Sequence, residues 1–241
     1  MLSYLNLKEK HPSSFLTATG LTDEEFQVLL PNFESAYRAL YSSNLTSEGK
    51  KRQRRVGGGV KGQLAEFEDR LLFILVYQKT NGLQTMHGLQ FGLSQPQSNY
   101  WIHRLLPVLR EALSSMGMKP ERDAAAVGEN IETAAGGANL SLDGTERRLQ
   151  RPQNKDKQRE KYSGKKKAHT DKNLLLVNEN TKRVVYLSPT VEGKKHDKKL
   201  AEECQINYPQ NASLTKDTGF QGYEPEGVLW QQPKKKKKGK S

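Results

Sequence analysis

The sequence predicts an α+β protein, an all-helical first half followed by a smaller unit built on a sheet. Three observations carry this reading. Apolar residues recur with a period near 3.6 as far as about Leu113. A stretch poor in large apolar side chains follows over Ser114–Ala138. Beyond it the pattern changes to short, strand-like runs bounded by turn residues. The expected boundaries are therefore a helical domain over 1–113, a connector over 114–138 and a sheet domain over 139–241.

Composition narrows the function. Of 241 residues, 34% are hydrophobic and 27% charged, and the mean hydropathy is −0.82. The longest clean apolar run, Leu71–Tyr77, falls far short of the ~20 residues that a spanning helix needs. No membrane partner is expected. Met1-Leu2-Ser3-Tyr4 lacks the basic flank and apolar stretch of a secretory signal. Cys204 is the only cysteine, which excludes a disulfide framework and a multi-thiolate zinc site. A reducing, cytoplasmic setting fits. Lys and Arg number 39 against 27 Asp and Glu, a net charge of +12 that points to a polyanionic partner.

Taken in order, Thr22-Asp23-Glu24-Glu25 has capping-box spacing, and Phe26, Leu29, Leu30, Phe33, Tyr37 and Leu40 form a helical stripe after it. Pro31 inside that stripe predicts a kink or two short helices. Ser42–Gly62 reads as a polar, glycine-rich arm carrying a basic cluster over Lys50–Arg55. It is no phosphate-binding loop, because Gln63 stands where the lysine must be. Phe67, Leu71, Ile74 and Leu75 mark a buried helix ended by Asn81-Gly82.

Residues 83–106 read as a helix-turn-helix. A short helix with Met86 and Leu89 inward runs to a turn at Gly92, and Ser94 caps a second helix with Pro96 in its first turn. Gln95, Gln97, Ser98 and Asn99 form its polar front, and Arg104 lies further along it. Short amide and hydroxyl side chains on such a helix can reach base edges in a DNA groove. Trp101 and Ile102 belong to its core-facing back.

In the second unit, Asn139–Leu142 reads as a strand ending in Asp143. Strands over Lys165–His169, Asn173–Asn178 and Arg183–Ser188 follow, with turns at Asp171-Lys172 and at Asn178–Thr181, and read as an antiparallel meander. A helix over Lys195–Ile206 precedes a strand, Ala212–Thr215, that leads to Asp217. Carboxylates at strand ends suit hard, oxygen-seeking cations such as Mg²⁺. Between Arg147 and Lys167 lie ten basic residues and two acids, a run that can hold phosphates beside Asp143.

Leu142-Asp143-Gly144-Thr145-Glu146-Arg147, Gln150-Arg151-Pro152, Tyr162–Thr170 with Lys172, Gly193–Asp197 and Asp217–Tyr223 resemble insertion-sequence transposases of the DDE superfamily. Thr22–Leu30 and residues 83–106 resemble that family's N-terminal domain. The resemblance implies an incomplete RNase H-like α/β catalytic domain with a mixed sheet, in which Asp143 and Asp217 are catalytic and metal-binding. It further implies two Mg²⁺ (or Mn²⁺) ions in the complete site, and binding, cleavage and strand transfer of element ends. Double-stranded DNA, as terminal repeats and target, is then the partner. A homo-oligomer on DNA and a bacterial, nucleoid-associated location are expected. Arg147, Arg148, Arg151, Lys165, Lys166 and Lys167 become DNA-binding candidates. His169, His196 and Asp197 are auxiliary ones, Asp197 being most simply a helix cap.

In one respect the chain departs from the family. The family's third acid is a Glu on a helix downstream of a lysine-rich segment, and here the sequence runs from Gln231 through Lys234–Lys238 to Ser241 without it. Glu224 and Glu226 follow Asp217 too closely to stand in for it. The chain is thus expected to be a front portion truncated before that Glu, which frameshifting on the lysine codons supplies or decay has removed. The alternative from another class is a non-catalytic DNA-binding product that regulates transposition.

Overall fold

The computed structural model describes residues 1–41, 50, 62–131 and 137–233, and divides into two compact units, Met1–Met118 and Lys119–Ser241. The arm read over Ser42–Gly62, apart from Lys50 and Gly62, and the lysines at 234–238 lie outside the described residues.

The first unit is helical throughout: α1 (Tyr4–Lys10), α2 (Pro12–Thr19), α3 (Asp23–Tyr41), α4 (Phe67–Thr80), α5 (Gln84–Gln90) and α6 (Gln95–Ser115). The capping box forms, the Thr22 hydroxyl accepting from the Glu25 amide at 3.2 Å and the Glu25 carboxylate from the Thr22 amide at 2.8 Å. Pro31 does not divide the following helix, which runs unbroken to Tyr41. Phe26 and Leu29 before the proline and Phe33, Ala36 and Tyr37 after it are all buried. Packing on both sides offsets the hydrogen bond that proline removes. The central element is α4, where Leu71 to Val76 are buried all round; Asn81 ends it in the left-handed conformation at φ 45°. Each fully buried aliphatic side chain of this kind contributes about 1.5–3 kcal/mol.

In α5 the inward face differs from the expected one. Met86 and Leu89 are 57% and 65% exposed, while His87 and Gly88 are buried. A seven-residue helix between two turns has too few apolar positions for periodicity to fix its phase. His87 packs on Phe73 at a 4.3 Å ring separation, with Tyr77 and Phe91 around it. Burial pushes its pKa below the ordinary 6.5. An unfolded histidine binds its proton below about pH 6.5, whereas the folded one resists it. Stability of the helical unit should therefore hold above that pH and fall as the solution is acidified below it. His87→Leu should flatten the dependence, as read from urea midpoints between pH 4.5 and 7.5; an unchanged slope would acquit His87.

The second unit holds α7 (Val127–Asn130), β1 (Asn139–Arg148), α8 (Lys155–Lys161), β2 (Tyr162–Ser163), β3 (Ala168–Asn178), β4 (Arg183–Leu187), β5 (Val191–Glu192), α9 (Asp197–Cys204), β6 (Ser213–Lys216) and β7 (Leu229–Gln231), with a 3-10 turn at Thr218–Phe220. The sheet order is β2-β3-β1-β6-β7, with β4 and β5 also pairing with β3. β1 runs antiparallel to β3 and parallel to β6, so the sheet is mixed. Residues 119–131, within the stretch read as a connector, belong to this unit: Val127 and Ile131 enter its core. Leu140, Leu142, Leu174, Leu176 and Leu214 share that core with Leu200 and Ala201 of α9.

Two strands are longer than the sequence suggests. β1 passes through Asp143 to Arg148, and β3 crosses Asp171-Lys172 without a turn. Glu146 pairs with Lys172 in the register between them. Charged residues in a strand interior read as a turn until their partners across the sheet are known.

Candidate active site and nucleic-acid surface

The positions of Asp143 and Asp217 follow from strand register. Leu142 of β1 pairs with Lys216 of β6 in parallel, and both are buried. Asp143 and Asp217 are the next residue of each chain segment, so both turn to the opposite face, where both are exposed. Neighbouring strands lie about 4.8 Å apart, which sets the spacing of the two backbones here. Asp217 stays extended at φ −79° and ψ 179° and caps the 3-10 turn, its Oδ1 accepting from the Gly219 amide at 2.8 Å. Asp143 Oδ1 accepts from the Gly144 amide at 2.8 Å. Each exposed carboxylate thus has one oxygen steadied by a backbone amide. Asp143 lies within β1, not past its end.

Asp197 and His196 exchange the expected roles. His196 is the cap of α9, its Nδ1 accepting from the Lys198 amide at 3.3 Å. Asp197 turns instead into the unit, with Oδ1 2.8 Å from Lys172 Nζ. Lys172 is 5% exposed; it also donates to the Lys195 carbonyl at 2.7 Å and faces Glu146 Oε1 at 3.5 Å. Burial acts to raise the Glu146 pKa, but hydrogen bonds from Ser163 and Thr170 and the Lys172 charge outweigh it and hold the carboxylate below its usual range. Sequence reading gives Lys172 and Glu146 no role; the spacing Asp-Gly and Asp-x-Gly after the two acids is the signal present. His169 lies on β3 with its ring edge-on to Tyr162 at 5.7 Å.

The basic candidates Arg147, Arg148, Arg151, Lys165, Lys166 and Lys167 are all exposed. Arg151 is oriented by Gln158, whose Oε1 accepts from its Nε at 3.2 Å and Nη2 at 3.0 Å. With Lys155, Arg159, Tyr162 and His169 they line a cavity of about 640 Å³.

In the helical unit, α6 starts on a complete capping box, with Ser94 as cap and the Gln97 side chain returning to the Ser94 amide at 2.9 Å. Gly92 takes a positive φ of 68° in the turn before it. Gln95 and Asn99 both donate to Gln84 Oε1 of α5, at 2.9 and 3.1 Å. Ser98 is a correction: it is 0% exposed. Its Cβ lies 3.2 Å from the point a Gly88 Cβ would occupy, so Ser98 seats α6 against α5 and cannot reach a base. Arg104 is half-buried, bonding the Tyr37 hydroxyl at 3.0 Å and lying 3.7 Å from the centre of the Tyr41 ring. Those contacts give it a packing role within α3 and α6.

Among the described residues, no helix is long and apolar enough to cross a membrane. The family described as "DDE superfamily endonuclease" matches residues 142–241, and "Helix-turn-helix of DDE superfamily endonuclease" matches residues 62–115. The chain is also 26% identical, over 174 residues, to the "Probable transposase for insertion sequence element IS702" of Microchaete diplosiphon; the match covers 72% of this chain and 59% of that protein. The chain thus aligns with about three fifths of that relative's length. No solved structure matches it significantly. The helical unit carries the helix-turn-helix match and the sheet unit carries the endonuclease match, so in both units the chain is similar to endonucleases of the DDE superfamily.

Proposed function

We propose that this chain binds the terminal repeats of an insertion element through α6 and acts on DNA phosphodiesters with Asp143 and Asp217 as ligands of a divalent cation. The observation that carries the reading is their placement side by side on neighbouring parallel strands, exposed on one face. Two carboxylates with no histidine or thiol beside them are a hard oxygen donor set, which fits Mg²⁺ or Mn²⁺. When bound, such an ion polarises the phosphoryl group and lowers the pKa of the attacking water or hydroxyl. Asp143 and Asp217 would hold it, with one oxygen each fixed by a glycine amide and the other free to coordinate. The exposed cations from Arg147 to Lys167 hold the DNA backbone near them, and cleavage of the element end followed by attack of its 3′-hydroxyl on target DNA is the proposed reaction. Assembly as a homo-oligomer on DNA completes the reading.

A second reading, DNA binding without cleavage and hence regulation of transposition, has one observation behind it. Among the described residues, no group of three or more His, Cys, Asp or Glu gathers in a way that could hold a metal ion. A two-carboxylate site leaves most coordination positions to water and phosphate, and two-metal cleavage generally needs more ligands. Incubating labelled element ends with the 241-residue chain and Mg²⁺ separates the two readings. Specific cuts at the end support the first; binding without cuts supports the second; equal affinity for ends and random DNA contradicts both.

For α6, Gln95→Ala and Asn99→Ala should each weaken binding to element ends by about 1–3 kcal/mol for each base edge no longer bonded, and leave random DNA unaffected. Gel-shift competition reads this directly. Ser98→Ala, being buried, should leave the discrimination unchanged. For the basic run, engagement of about six phosphates should make log K fall with log salt at a slope near −5. A slope near zero would assign the +12 charge to solubility.

A further inference from the structure

We propose that Asp197, held in place by Lys172, is a positioning residue that clamps together the two neighbouring segments bearing Asp143 and Asp217. The inference rests on the reading of those two acids as cation ligands. Its geometry lies in two glycines. A Cβ on Gly144 would stand 2.9 Å from Asp197 Oδ1, and a Cβ on Gly219 would stand 2.9 Å from Asp197 Oδ2. Neither glycine needs a positive φ. What both positions lack is room: the Asp197 carboxylate fills the space beside Gly144, and beside Gly219 it shares that space with Asp217 Oδ1, also 2.9 Å away. Gly144 directly follows Asp143, and Gly219 donates the amide that fixes Asp217. The same carboxylate therefore buttresses the backbone beside each proposed ligand.

The carboxylate is itself immobilised. Lys172 Nζ holds its Oδ1 at 2.8 Å from the middle of β3, and Lys172 in turn is fixed by the Lys195 carbonyl and by Glu146. The Lys172 and Glu146 side chains are 6% and 5% exposed, so the pair cannot swing into solvent. A generic core ion pair has no reason to meet the two glycines flanking the two exposed acids. A site that must hold ligands within about 0.5 Å of a working geometry has such a reason.

The test is Mn²⁺ binding to the full 241-residue chain, read by electron paramagnetic resonance, with circular dichroism melting as the separate measure of folding. Asp197→Ala should lower Mn²⁺ affinity about tenfold, the scale on which supporting residues tune metal sites. Gly144→Ala should do the same with Asp197 intact, because its methyl displaces Oδ1. The double variant Gly144→Ala/Asp197→Ala puts that methyl into the emptied space and should bind Mn²⁺ more tightly than either single variant. A role in stability alone would move melting and leave affinity untouched. Parent-like affinity in Asp197→Ala, or additive losses in the double variant, overturns the proposal. Should Asp197→Ala fail to fold, a folded Gly144→Ala with parent affinity overturns it equally. Parent-like affinity in Asp143→Asn would instead remove the underlying reading of the ligands, whereas loss there without loss in Asp197→Ala or Gly144→Ala removes only the clamp.

Discussion

Asp143→Asn and Asp217→Asn should each weaken divalent-cation binding by well over about tenfold, since even residues behind the ligands are worth that much. Asparagine keeps the shape and the hydrogen bond from Gly144 or Gly219, so the fold should be undisturbed. What it removes is the negative charge that favours a hard cation over water. DNA binding should survive both changes, because the proposed reading assigns it to α6 and the exposed Arg and Lys side chains. Neutralising a carboxylate beside a phosphate backbone also relieves repulsion, so affinity for DNA should hold or rise. Equal loss of DNA binding and of Mn²⁺ would mean that the variants unfold or that the two functions are not separable.

The second large effect is on stability. Lys172→Met should destabilise the sheet unit by about 3–5 kcal/mol, because it leaves Glu146 and Asp197 as buried carboxylates without their cation. Removing one carboxylate as well, in Lys172→Met/Asp197→Asn, should recover part of the loss, since breaking a buried pair costs more than replacing it. The folded pKa of Glu146 is held below its unfolded value. Its contribution is therefore full above about pH 4.3 and is lost as pH falls through the lower folded value. Lys172→Met should raise the Glu146 pKa and shift acid unfolding of this unit to higher pH. Chemical denaturation followed between pH 3 and 7 measures both, and a parent-like curve for Lys172→Met would show that water already serves the two acids.

Much of the fold is legible in the sequence because local signals are dense. The capping box at Thr22, the cap at Ser94, the helix end at Asn81, the turn at Gly92 and the change of period after Leu113 all correspond to elements of the structure. The departures have a common physical source. Met86 and Leu89 read as inward by their hydrophobicity, yet in a helix as short as α5 the packing of its neighbours chooses the face, and it selects His87 and Gly88. Asp171-Lys172 reads as a turn because a buried lysine in a strand is costly until its partners are known. Those partners, Glu146 and Asp197, are 26 and 25 positions away. Ser98 carries a polar label that its packing against Gly88 cancels. The two acids stand out in the sequence, but their side-by-side placement depends on the pairing of β1 with β6, a non-local register that composition and spacing do not contain.

That placement is open to a direct measurement. Fe²⁺ occupies Mg²⁺ sites with oxygen ligands and, with ascorbate and peroxide, cuts the polypeptide beside wherever it is bound. Mapping the cuts in the 241-residue chain by mass spectrometry should give two clusters, one around Asp143 and one around Asp217. Excess Mg²⁺ should suppress both together, and Asp143→Asn should remove both. Cleavage centred on His196 or His169, or cuts at Asp143 that persist when Asp217 is changed to Asn, would contradict a shared cation site on β1 and β6.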